Sequence, residues 1–349
     1  MILVGTICAV LWGIGWAMGA PNRQRWVMIA VVFAAVIFAH VILPDGHPLR
    51  QNTGGSWELW AIIAAFAAII WTYRQGLRKL RSRAVAPMHA PEGGMSDAEL
   101  DRYARHIVMP EIGGAGQMRL RGAKVLVIGA GGLGAPALQY LAAAGVGTIG
   151  IVDDDTVAAS NLQRQVIHRD ADIGRAKVTS AAQALGELNP YVAVNSYNHR
   201  LTGEGVEELI GQYDIVLDGT DNFETRYLVN AACVVRATPL VSGALSQWEG
   251  QLALFDPAVS GPCYQCVFSD APKPELAPSC AQAGVFAALP GIIGSLMAAE
   301  ALKYILSAGS PLRGQMAIYN VLDGQNCVIK TKPRADCPIC CSQPSDGKS

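Results

Sequence analysis

The sequence predicts an α/β fold: a doubly wound, mainly parallel sheet that follows three membrane-spanning helices. Two observations predict the sheet. From Lys124 onward, short runs rich in β-branched residues alternate with helical stretches, and a glycine-rich turn follows the first of these runs. The third observation, an excess of apolar residues at the front of the 349-residue chain, separates residues 1–83 from the rest.

The N-terminal part contains three apolar stretches without a lysine or arginine: residues 1–20, 26–43 and 57–73. Each is close to the roughly 20 residues that cross about 30 Å of hydrocarbon as a helix. A cleaved signal peptide and buried core helices are the alternatives, but residues 1–20 lack a basic first segment and two more apolar stretches follow. Aromatic residues bracket the third stretch as they do at membrane interfaces, namely Trp57, Trp60, Trp71 and Tyr73.

Basic residues set the expected orientation, because Lys and Arg are retained on the cytoplasmic side of a membrane. The first loop contains Arg23 and Arg25 and the second only Arg50, whereas a cluster follows the third stretch: Arg74, Arg78, Lys79, Arg81 and Arg83. The sequence therefore predicts a multi-pass protein of the inner (cell) membrane with its large C-terminal domain in the cytoplasm. The net charge of -1 gives no case for a nucleic-acid partner.

The rest of the chain divides into a linker at residues 84–95, a folded domain at 96–342 and a tail at 343–349. Ser96 and Glu99 have the spacing of a capping box, which predicts a helix from there to about Met109. The pattern predicts strands at 125–129, 148–153, 192–197, 214–219 and 239–245, with antiparallel pieces near 249–255, 315–320 and 326–331. It predicts helices at 133–145, 174–188, 222–236 and 287–306.

A glycine-rich motif lies where the first strand of this domain passes into a helix. The motif is Gly129-Ala-Gly-Gly-Leu-Gly134, and glycines there let the backbone approach a phosphate that the helix N-terminus attracts. Asp153 ends the next strand and is placed to bind a ribose hydroxyl. This arrangement is Rossmann-like, and by itself it suits an NAD-dependent dehydrogenase at least as well as an ATP enzyme.

The residues that follow favour a triphosphate over a dinucleotide. Ser160-Asn-Leu-Gln-Arg-Gln165 precedes Lys177 on a predicted helix, and Asp218-Gly-Thr-Asp-Asn222 ends a strand. Displacement at phosphorus needs Arg or Lys on the developing negative charge and a carboxylate for magnesium, whereas a dinucleotide site needs little cationic charge. Each residue alone is compatible with a surface salt bridge or a cap, but their order within one domain indicates ATP chemistry.

With these motifs, residues 97–341 resemble the bacterial adenylyltransferases of the ThiF/MoeB/HesA family, relatives of ubiquitin-activating enzymes. Further runs that carry the resemblance are Arg102-Tyr-Ala-Arg-His, Asp153-Asp-Asp-Thr-Val, Thr220-Asp-Asn, Val241-Ser-Gly and Glu249-Gly-Gln. The resemblance implies ATP-dependent adenylation of the C-terminal glycine carboxylate of a ubiquitin-like sulfur-carrier protein of MoaD or ThiS type. Pyrophosphate would be released, and the product would serve sulfur transfer in molybdopterin or thiamine biosynthesis.

The resemblance also implies roles for individual residues. It places the phosphates, the ribose and the triphosphate on the set Gly129, Gly131, Gly132, Gly134, Asp153, Asn161, Arg164, Gln165 and Lys177. Asp221 would bind Mg²⁺, and Arg105 would reach into the nucleotide site of a partner subunit, which implies a homodimer. The implied catalytic set is Arg105, Arg164, Lys177, Asp221 and Cys280.

No general base is needed for this reaction, because a C-terminal carboxylate has an ordinary pKa of about 3.3–3.7 and is ionised at neutral pH. His106 and His168 lie near motif positions, and we interpret both as structural. Two rival functions remain open: a tRNA-modifying dehydratase of the same superfamily and a nicotinamide dehydrogenase. The cysteine set described next, together with the absence of a basic face, favours a protein substrate over a tRNA.

Cysteine spacing predicts a structural zinc site. Two Cys-x-x-Cys pairs are present, Cys263 with Cys266 and Cys337 with Cys340, and four thiolates form a closed tetrahedral set for zinc. The separation between the pairs exceeds the usual ribbon spacing, but the family resemblance supplies the same separation. Cys341 is an alternative ligand next to Cys340, and we expect Cys340 to be used.

The remaining cysteines are expected to differ in role. Cys280 lies in Pro278-Ser-Cys-Ala-Gln-Ala-Gly284, which matches the position of the thiol in the family's loop over the adenylate. It is either a nucleophile that accepts the activated acyl group or an accessible thiol that adenylation never uses. Cys8, Cys233 and Cys327 lie in apolar runs and are interpreted as packing residues.

Overall fold

The computed structural model describes residues 2–18, 22–44, 47–54, 93–271 and 284–341, together with single residues at 60, 62, 65, 66, 69, 72 and 73. The chain divides into two compact units, Met1–Pro87 and Met88–Ser349. The expected tail at 343–349 and most of the expected linker lie outside the described residues, as does the basic cluster at 74–83.

The described part of the N-terminal unit contains a helical hairpin. Its elements are α1 (Ile2–Ala17), α2 (Asn22–Ile42) and the short α3 (Pro48–Thr53). The rings of Trp12 and Trp26 meet edge to face with 5.1 Å between centroids, and the guanidinium of Arg25 lies over the Trp12 ring. Aromatic and cation–π contacts therefore join the facing ends of α1 and α2.

The structure supports the expected three-helix anchor only in part. Helices α1 and α2 overlap two of the apolar stretches, while the third stretch, 57–73, is described at single residues alone. By length and apolar composition, one helix in the described part of the chain qualifies as a membrane span, and that helix, Ala288–Leu306, is largely buried in the C-terminal unit. Three spanning helices are therefore not supported.

Trp60 differs from its expected place at a membrane interface. Its ring is 3% exposed and packs edge to face on Phe33, and its indole N–H donates to the carbonyl of Thr53 at 3.1 Å. Together with Val4 and Val36 it forms the small apolar core of this unit. A buried Trp needs a partner for its N–H, and Thr53 at the end of α3 supplies it.

The described residues of the C-terminal unit form an eight-stranded sheet of order β3-β2-β1-β4-β5-β6-β7-β8. The strands are β1 (Lys124–Ile128), β2 (Thr148–Val152), β3 (Ala193–Tyr197), β4 (Ile215–Asp218), β5 (Leu240–Leu245), β6 (Glu249–Phe255), β7 (Gln315–Asn320) and β8 (Gln325–Lys330). Strands β1 to β5 are parallel and β6 to β8 continue the sheet antiparallel. The expected strands are confirmed, and the α/β Rossmann-like fold with them.

Helices cover both faces of this sheet. They are α4 (Asp97–Arg102), α5 (Ala104–Ile107), α6 (Gly113–Gly122), α7 (Gly134–Ala143), α8 (Lys177–Leu188), α9 (Val206–Ile210), α10 (Phe223–Arg236), α11 (Tyr264–Val267) and α12 (Ala288–Leu306). Alternate residues of β1 enter two different cores: Val125 and Val127 pack with α7, α8 and α12, and Leu126 and Ile128 with α9 and α10. A strand buried on both faces is typical of a doubly wound sheet.

The predicted helix from Ser96 to Met109 begins as expected but is interrupted. The capping box is present, since Glu99 N–H donates to Ser96 Oγ at 3.3 Å and Ser96 N–H donates to Glu99 Oε2 at 2.9 Å. At Tyr103 the backbone leaves helical geometry, and the helix divides into α4 and α5. The Tyr103 ring is buried against Gly145, and its hydroxyl accepts from Asn189 at 2.8 Å. The helix is therefore interrupted at the residue whose side chain makes these tertiary contacts.

Candidate active site and metal centre

A cleft of about 880 Å³ lies at the carboxyl ends of the parallel strands. Its lining includes Ile128 at the end of β1, Val152 at the end of β2 and Gly219 just beyond β4. The strand order reverses between β1 and β4, so the loops that follow them diverge and leave room for a ligand. The volume lies within the range of about 300–1,000 Å³ that is usual for small-molecule sites.

The glycine motif forms one wall of the cleft, and its backbone explains its composition. Gly129 has φ 91°, a conformation that L-residues with side chains rarely adopt. A Cβ at Gly134, where α7 begins, would lie 1.8 Å from the carbonyl oxygen of Gly129. Within the described residues, the amides of Gly131 and Gly132 donate to no protein acceptor. Free amides next to a helix N-terminus form an anion site.

Two cations face this loop. Arg164 follows the short 3-10 turn Ala159–Asn161, and its guanidinium lies 3.5 Å from Asn161 Oδ1. Lys177 is the first residue of α8, and its side chain is 5% exposed. Its Nζ lies 2.7 Å from Asp155 Oδ2, on a carboxylate that is itself largely exposed. Asp155 thus holds the Lys177 side chain at the cleft, where both residues are in the lining.

The loop after β4 brings a carboxylate to the opposite side. Asp218 is buried, and its Oδ1 accepts from the N–H and the hydroxyl of Thr220 at 2.9 and 2.7 Å. Asn222 caps α10 by accepting from Thr225 N–H at 2.9 Å. Held between these two anchors, Asp221 is exposed and lines the cleft.

Sequence reasoning missed Arg226, which supports the same loop. It is 4% exposed and donates to Ser242 Oγ at 3.1 Å, to Gly243 O at 2.7 Å and to the carbonyl of Thr220. A signal was present: Arg226 and Asn230 are polar residues on the apolar stripe of α10, which also contains Val229 and Cys233. Polar side chains at helical core positions usually bind a specific partner.

Two buried polar atoms at this edge have no hydrogen-bond partner in the described residues, Gln165 Oε1 and Asp218 Oδ2. Buried polar groups are normally satisfied by protein, water or a ligand. Unsatisfied buried atoms, free loop amides and two cations together fit an anionic nucleotide. Asp221 presents an accessible carboxylate, which is the kind of oxygen ligand that Mg²⁺ prefers.

The cleft brings most of the sequence-predicted site together. The lining includes Gly129, Gly131, Gly132, Asp153, Asn161, Arg164, Gln165, Lys177 and Asp221. Gly134 lies beneath the loop rather than in the lining. Arg105 on α5 is exposed and is not in the lining, and it has no hydrogen bond or ion pair within the described part of the chain. Cys280 lies outside the described residues.

The two Cys-x-x-Cys pairs converge on one point, in a small cluster that also contains Val234. The thiols of Cys263, Cys266, Cys337 and Cys340 all lie within 4.8 Å of one another. Neighbouring sulfur atoms are 3.3 to 3.8 Å apart. Four sulfurs at about 2.3 Å from a tetrahedral zinc are about 3.8 Å from one another, so the donor set fits this ion.

Neighbouring groups distinguish the candidate ligands. Cys341 Sγ donates to the carbonyl of Arg334 at 3.1 Å and is exposed, so Cys340 rather than Cys341 joins the cluster. Burial opposes ionisation of Cys337, but the backbone N–H groups of Cys340 and Ile339 donate to its sulfur and lower its pKa to about 7. A thiol with a lowered pKa is readily available as a thiolate ligand.

The other cysteines divide as follows. Cys233 is buried, as expected of a packing residue, and burial raises its pKa. Cys327 is exposed on β8, so its interpretation as a packing residue is wrong for this chain. Strand β8 is exposed along its whole length, because no helix covers it within the described residues.

The sheet order, the glycine loop at the reversal point and the cations above it define a Rossmann-like nucleotide-binding protein with the charges of a phosphate-transfer site. The chain belongs to the ThiF family, whose model matches residues 103–339. It is 49% identical over 253 residues to the sulfur carrier protein adenylyltransferase of Thermus thermophilus, covering 71% of this chain and 93% of that protein. The SAMP-activating enzyme E1 of Haloferax volcanii is 47% identical over 242 residues, covering 69% of this chain and 89% of that protein.

Solved structures support the fold. A crystal structure of E. coli MccB with ATP matches with a TM-score of 0.60 and 20% sequence identity, over 88% of this chain and 90% of that chain. At this identity the match shows a shared fold. The family membership rests on the family model and on the sequence relatives.

Proposed function

We propose that this protein uses ATP to adenylate the C-terminal glycine carboxylate of a ubiquitin-like sulfur-carrier protein, with release of pyrophosphate. One observation carries the proposal: a single cleft combines the glycine loop, Arg164, Lys177 and Asp221. The relative from Thermus thermophilus is named a sulfur carrier protein adenylyltransferase and the one from Haloferax volcanii a SAMP-activating enzyme E1, and both names support the proposal. The activated carrier would serve sulfur transfer in molybdopterin or thiamine biosynthesis.

The chemistry requires positioning and charge rather than a base. A carboxylate oxygen of the carrier attacks the α-phosphorus of ATP, the new P–O bond forms, and the bond to the β-phosphate oxygen breaks. Pyrophosphate leaves with the electron pair, and no proton is transferred. Arg164 and Lys177 stabilise the negative charge that develops on the phosphates, and the amides of the glycine loop orient them.

Mg²⁺ and a second subunit complete the proposed site. Asp221 would hold Mg²⁺, which neutralises charge on the phosphates when bound. Arg105, exposed on α5 and not in the cleft of its own chain, would act in the cleft of a partner in a homodimer. The family resemblance supports this arrangement.

Zinc and Cys280 have separate proposed roles. The cluster of Cys263, Cys266, Cys337 and Cys340 would hold one structural zinc, which ties the C-terminal residues to α11. Adenylation itself would not use Cys280, whose thiol either accepts the activated acyl group afterwards or takes no part in the reaction. The zinc-site cysteines and Cys280 lie at different positions in the sequence, so mutation can test the two roles separately.

We also propose that residues 1–83 anchor the protein in the inner membrane with the catalytic unit in the cytoplasm. The apolar helices α1 and α2 support this proposal, as does the excess of Lys and Arg at 74–83. The structure of this anchor beyond α3 stays a prediction.

Pyrophosphate exchange tests the proposed function. The full-length protein in detergent is incubated with ATP, labelled pyrophosphate, Mg²⁺ and a purified MoaD- or ThiS-type carrier. Label should enter ATP only when the carrier is present and ends in a free glycine carboxylate. A carrier with its C-terminal carboxylate amidated is the matched control. Exchange driven by tRNA, or hydride transfer to added NAD without any exchange, would overturn the proposal in favour of the two rival functions.

A further inference from the structure

Ala130 lies inside the glycine loop, and side chains hold both of its backbone polar groups. Its N–H donates to Asp153 Oδ2 at 2.7 Å, and its carbonyl oxygen lies 3.0 Å from His168 Nε2. Strand β1 ends at Ile128, so the sheet ladder does not fix this peptide. His168 is 6% exposed, which keeps water away from the bond.

The other ring nitrogen of His168 reaches helix α8. Nδ1 lies 2.9 Å from Ser180 Oγ, which lies 2.9 Å from Asp172 Oδ2. Ser180 follows Lys177 by three residues, so both lie on the same side of the first turn of α8. One imidazole ring therefore connects the glycine loop to the helical turn that carries Lys177.

We propose that His168 is a positioning residue for the adenylation reaction, because it holds the glycine loop and the first turn of α8 in fixed register around the phosphates. The loop at 153–155 already connects the same two segments, since Asp153 accepts from Ala130 N–H and Asp155 pairs with Lys177. His168 adds a second connection, from the Ala130 carbonyl to Ser180. A shift of about 1 Å in such groups is enough to cost about 100-fold in rate. The inference rests on the proposed function, and it gives a role to a histidine that the sequence suggested was only structural.

The hydrogen bonds determine the tautomer of His168. A carbonyl oxygen only accepts, so Nε2 must carry a hydrogen toward Ala130. Ser180 Oγ donates to Asp172 Oδ2 in the structure, an arrangement that the protonated ring keeps because its Nδ1–H donates to Oγ. With the ring neutral, the single hydroxyl hydrogen goes to Nδ1 instead, and Asp172 loses this bond. In both states the Nε2–H bond to Ala130 persists. The opposite neutral tautomer would set the Nε2 lone pair against the carbonyl and lose the connection.

The surroundings of the ring shift the pKa of His168 in opposite directions. Burial lowers the pKa of His168, and Lys177 lowers it further, whereas the bond to Ala130 and the carboxylates of Asp153 and Asp172 oppose the shift. The net lowering favours the neutral ring at pH 7. We therefore expect the Nε2–H tautomer in the resting protein.

Four variants of the full-length protein test the inference by carrier-dependent pyrophosphate exchange. His168→Asn cannot span the two partners and should lower kcat/KM for ATP by about 10- to 100-fold. His168→Gln keeps a donor for the Ala130 carbonyl, so its kcat/KM should be higher than that of His168→Asn. The kcat/KM of Ser180→Ala should lie between the values of these two variants. Ser196→Ala is the matched control, because its hydroxyl also contacts α8, at the carbonyl of Val178, but lies outside this connection.

Two further readouts separate positioning from folding. Nitrogen-15 NMR of the imidazole should show the neutral Nε2–H form at pH 7, and amide hydrogen exchange in His168→Asn should quicken at residues 129–134 and 177–181 alone. Unchanged kcat/KM in a folded His168→Asn, or uniformly faster exchange across the domain, would overturn the inference. A wild-type protein that binds ATP but shows no carrier-dependent exchange would instead contradict the proposed function, and the NMR and hydrogen-exchange results would then decide the inference.

Discussion

At the scale of residues, the cleft is organised by side chains that hold its loops and cations in place, and two of them, Asp155 and Arg226, are also in its lining. Arg226 and Asp218 fix the loop that presents Asp221, and His168 fixes the loop that presents the amides. Asp155 orients Lys177 by an ion pair. The reacting groups are thus held by partners in other elements, which is the condition for charge stabilisation without reorganisation.

Removing the charge of Asp221 should slow the adenylation step itself. In Asp221→Asn the side chain keeps its size but loses the negative charge that Mg²⁺ requires, so pyrophosphate exchange should fall by about 100- to 1,000-fold. Glu204→Gln makes the same change on an exposed residue outside the cleft and should leave exchange unaltered. Equal activity of both variants over a range of Mg²⁺ concentrations would show that Asp221 is not the metal ligand.

Replacing Cys280 should separate two chemical steps. Cys280→Ala leaves every described cleft residue in place, so carrier-dependent pyrophosphate exchange should persist. Any covalent carrier–enzyme species seen by non-reducing electrophoresis and mass spectrometry should disappear. Loss of exchange in a Cys280→Ala protein that still binds ATP would show that the thiol acts in adenylation itself.

At the scale of elements, close approach of the loop to α7 makes one glycine irreplaceable. A Cβ at Gly134 would meet the Gly129 carbonyl at 1.8 Å, so Gly134→Ala should destabilise the protein by about 1–3 kcal/mol and weaken ATP binding. Gly186→Ala in α8 is the matched control, since nothing lies within 4 Å of its Cβ position. It should stabilise by about 0.5–1 kcal/mol, because alanine favours helix. Thermal unfolding of both proteins measures the difference, and equal shifts would contradict it.

The two cysteine pairs tie separate elements together through a metal. Cys337→Ser should abolish zinc in elemental analysis and lower the melting temperature far more than it lowers ATP affinity, since the site contributes to folding. Cys341→Ser should keep about one zinc per chain, because its thiol faces the Arg334 carbonyl. Less than half a zinc per chain in the folded wild-type protein would contradict a closed four-thiolate site.

Several elements were predictable from sequence because their signals are local. Strands β1 and β4, for example, are each followed by a helix, and both strands appear within a few residues of their predicted bounds. The helix predicted from Ser96 to about Met109 is wrong in its continuity, because it is interrupted at Tyr103, whose ring is buried against Gly145 and bonded to Asn189, before it resumes at Ala104–Ile107. Contacts with residues so distant along the chain leave no periodic pattern in the sequence.

At the scale of the whole molecule, the two units differ in the kind of function that their described residues support. In the C-terminal unit, the sheet and the cores on its two faces position the cleft in which we propose that adenylation takes place. The described residues of the N-terminal unit include the apolar helices α1 and α2 and a small core around Val4, Val36 and Trp60. Its exposed apolar side chains, among them Phe38 and Ile42, are typical of a surface that contacts lipid or protein.

A reporter fusion tests the proposed topology of the whole chain. A cytoplasmically active reporter and an export-dependent reporter are each joined after Arg83, and the basic cluster at 74–83 should retain the junction in the cytoplasm. Only the cytoplasmic reporter should be active, and the chain should fractionate with membranes. Exchange of the five basic residues for glutamine should weaken this retention. Activity of the export-dependent reporter at the unaltered junction would contradict the orientation.

The sequence by itself determined the sheet, the glycine loop, most of the residues that line the cleft and the two cysteine pairs, because each depends on short spacings and residue chemistry. Only the tertiary structure showed which side chains support the glycine loop, the Asp221 loop and the cysteine cluster. It selected Cys340 over Cys341, interrupted the first helix at Tyr103, buried Arg226 beneath the Asp221 loop and set His168 between Ala130 and Ser180. These contacts join segments that only the parallel sheet brings together, since the carboxyl ends of its strands meet at one edge whatever their distance in sequence.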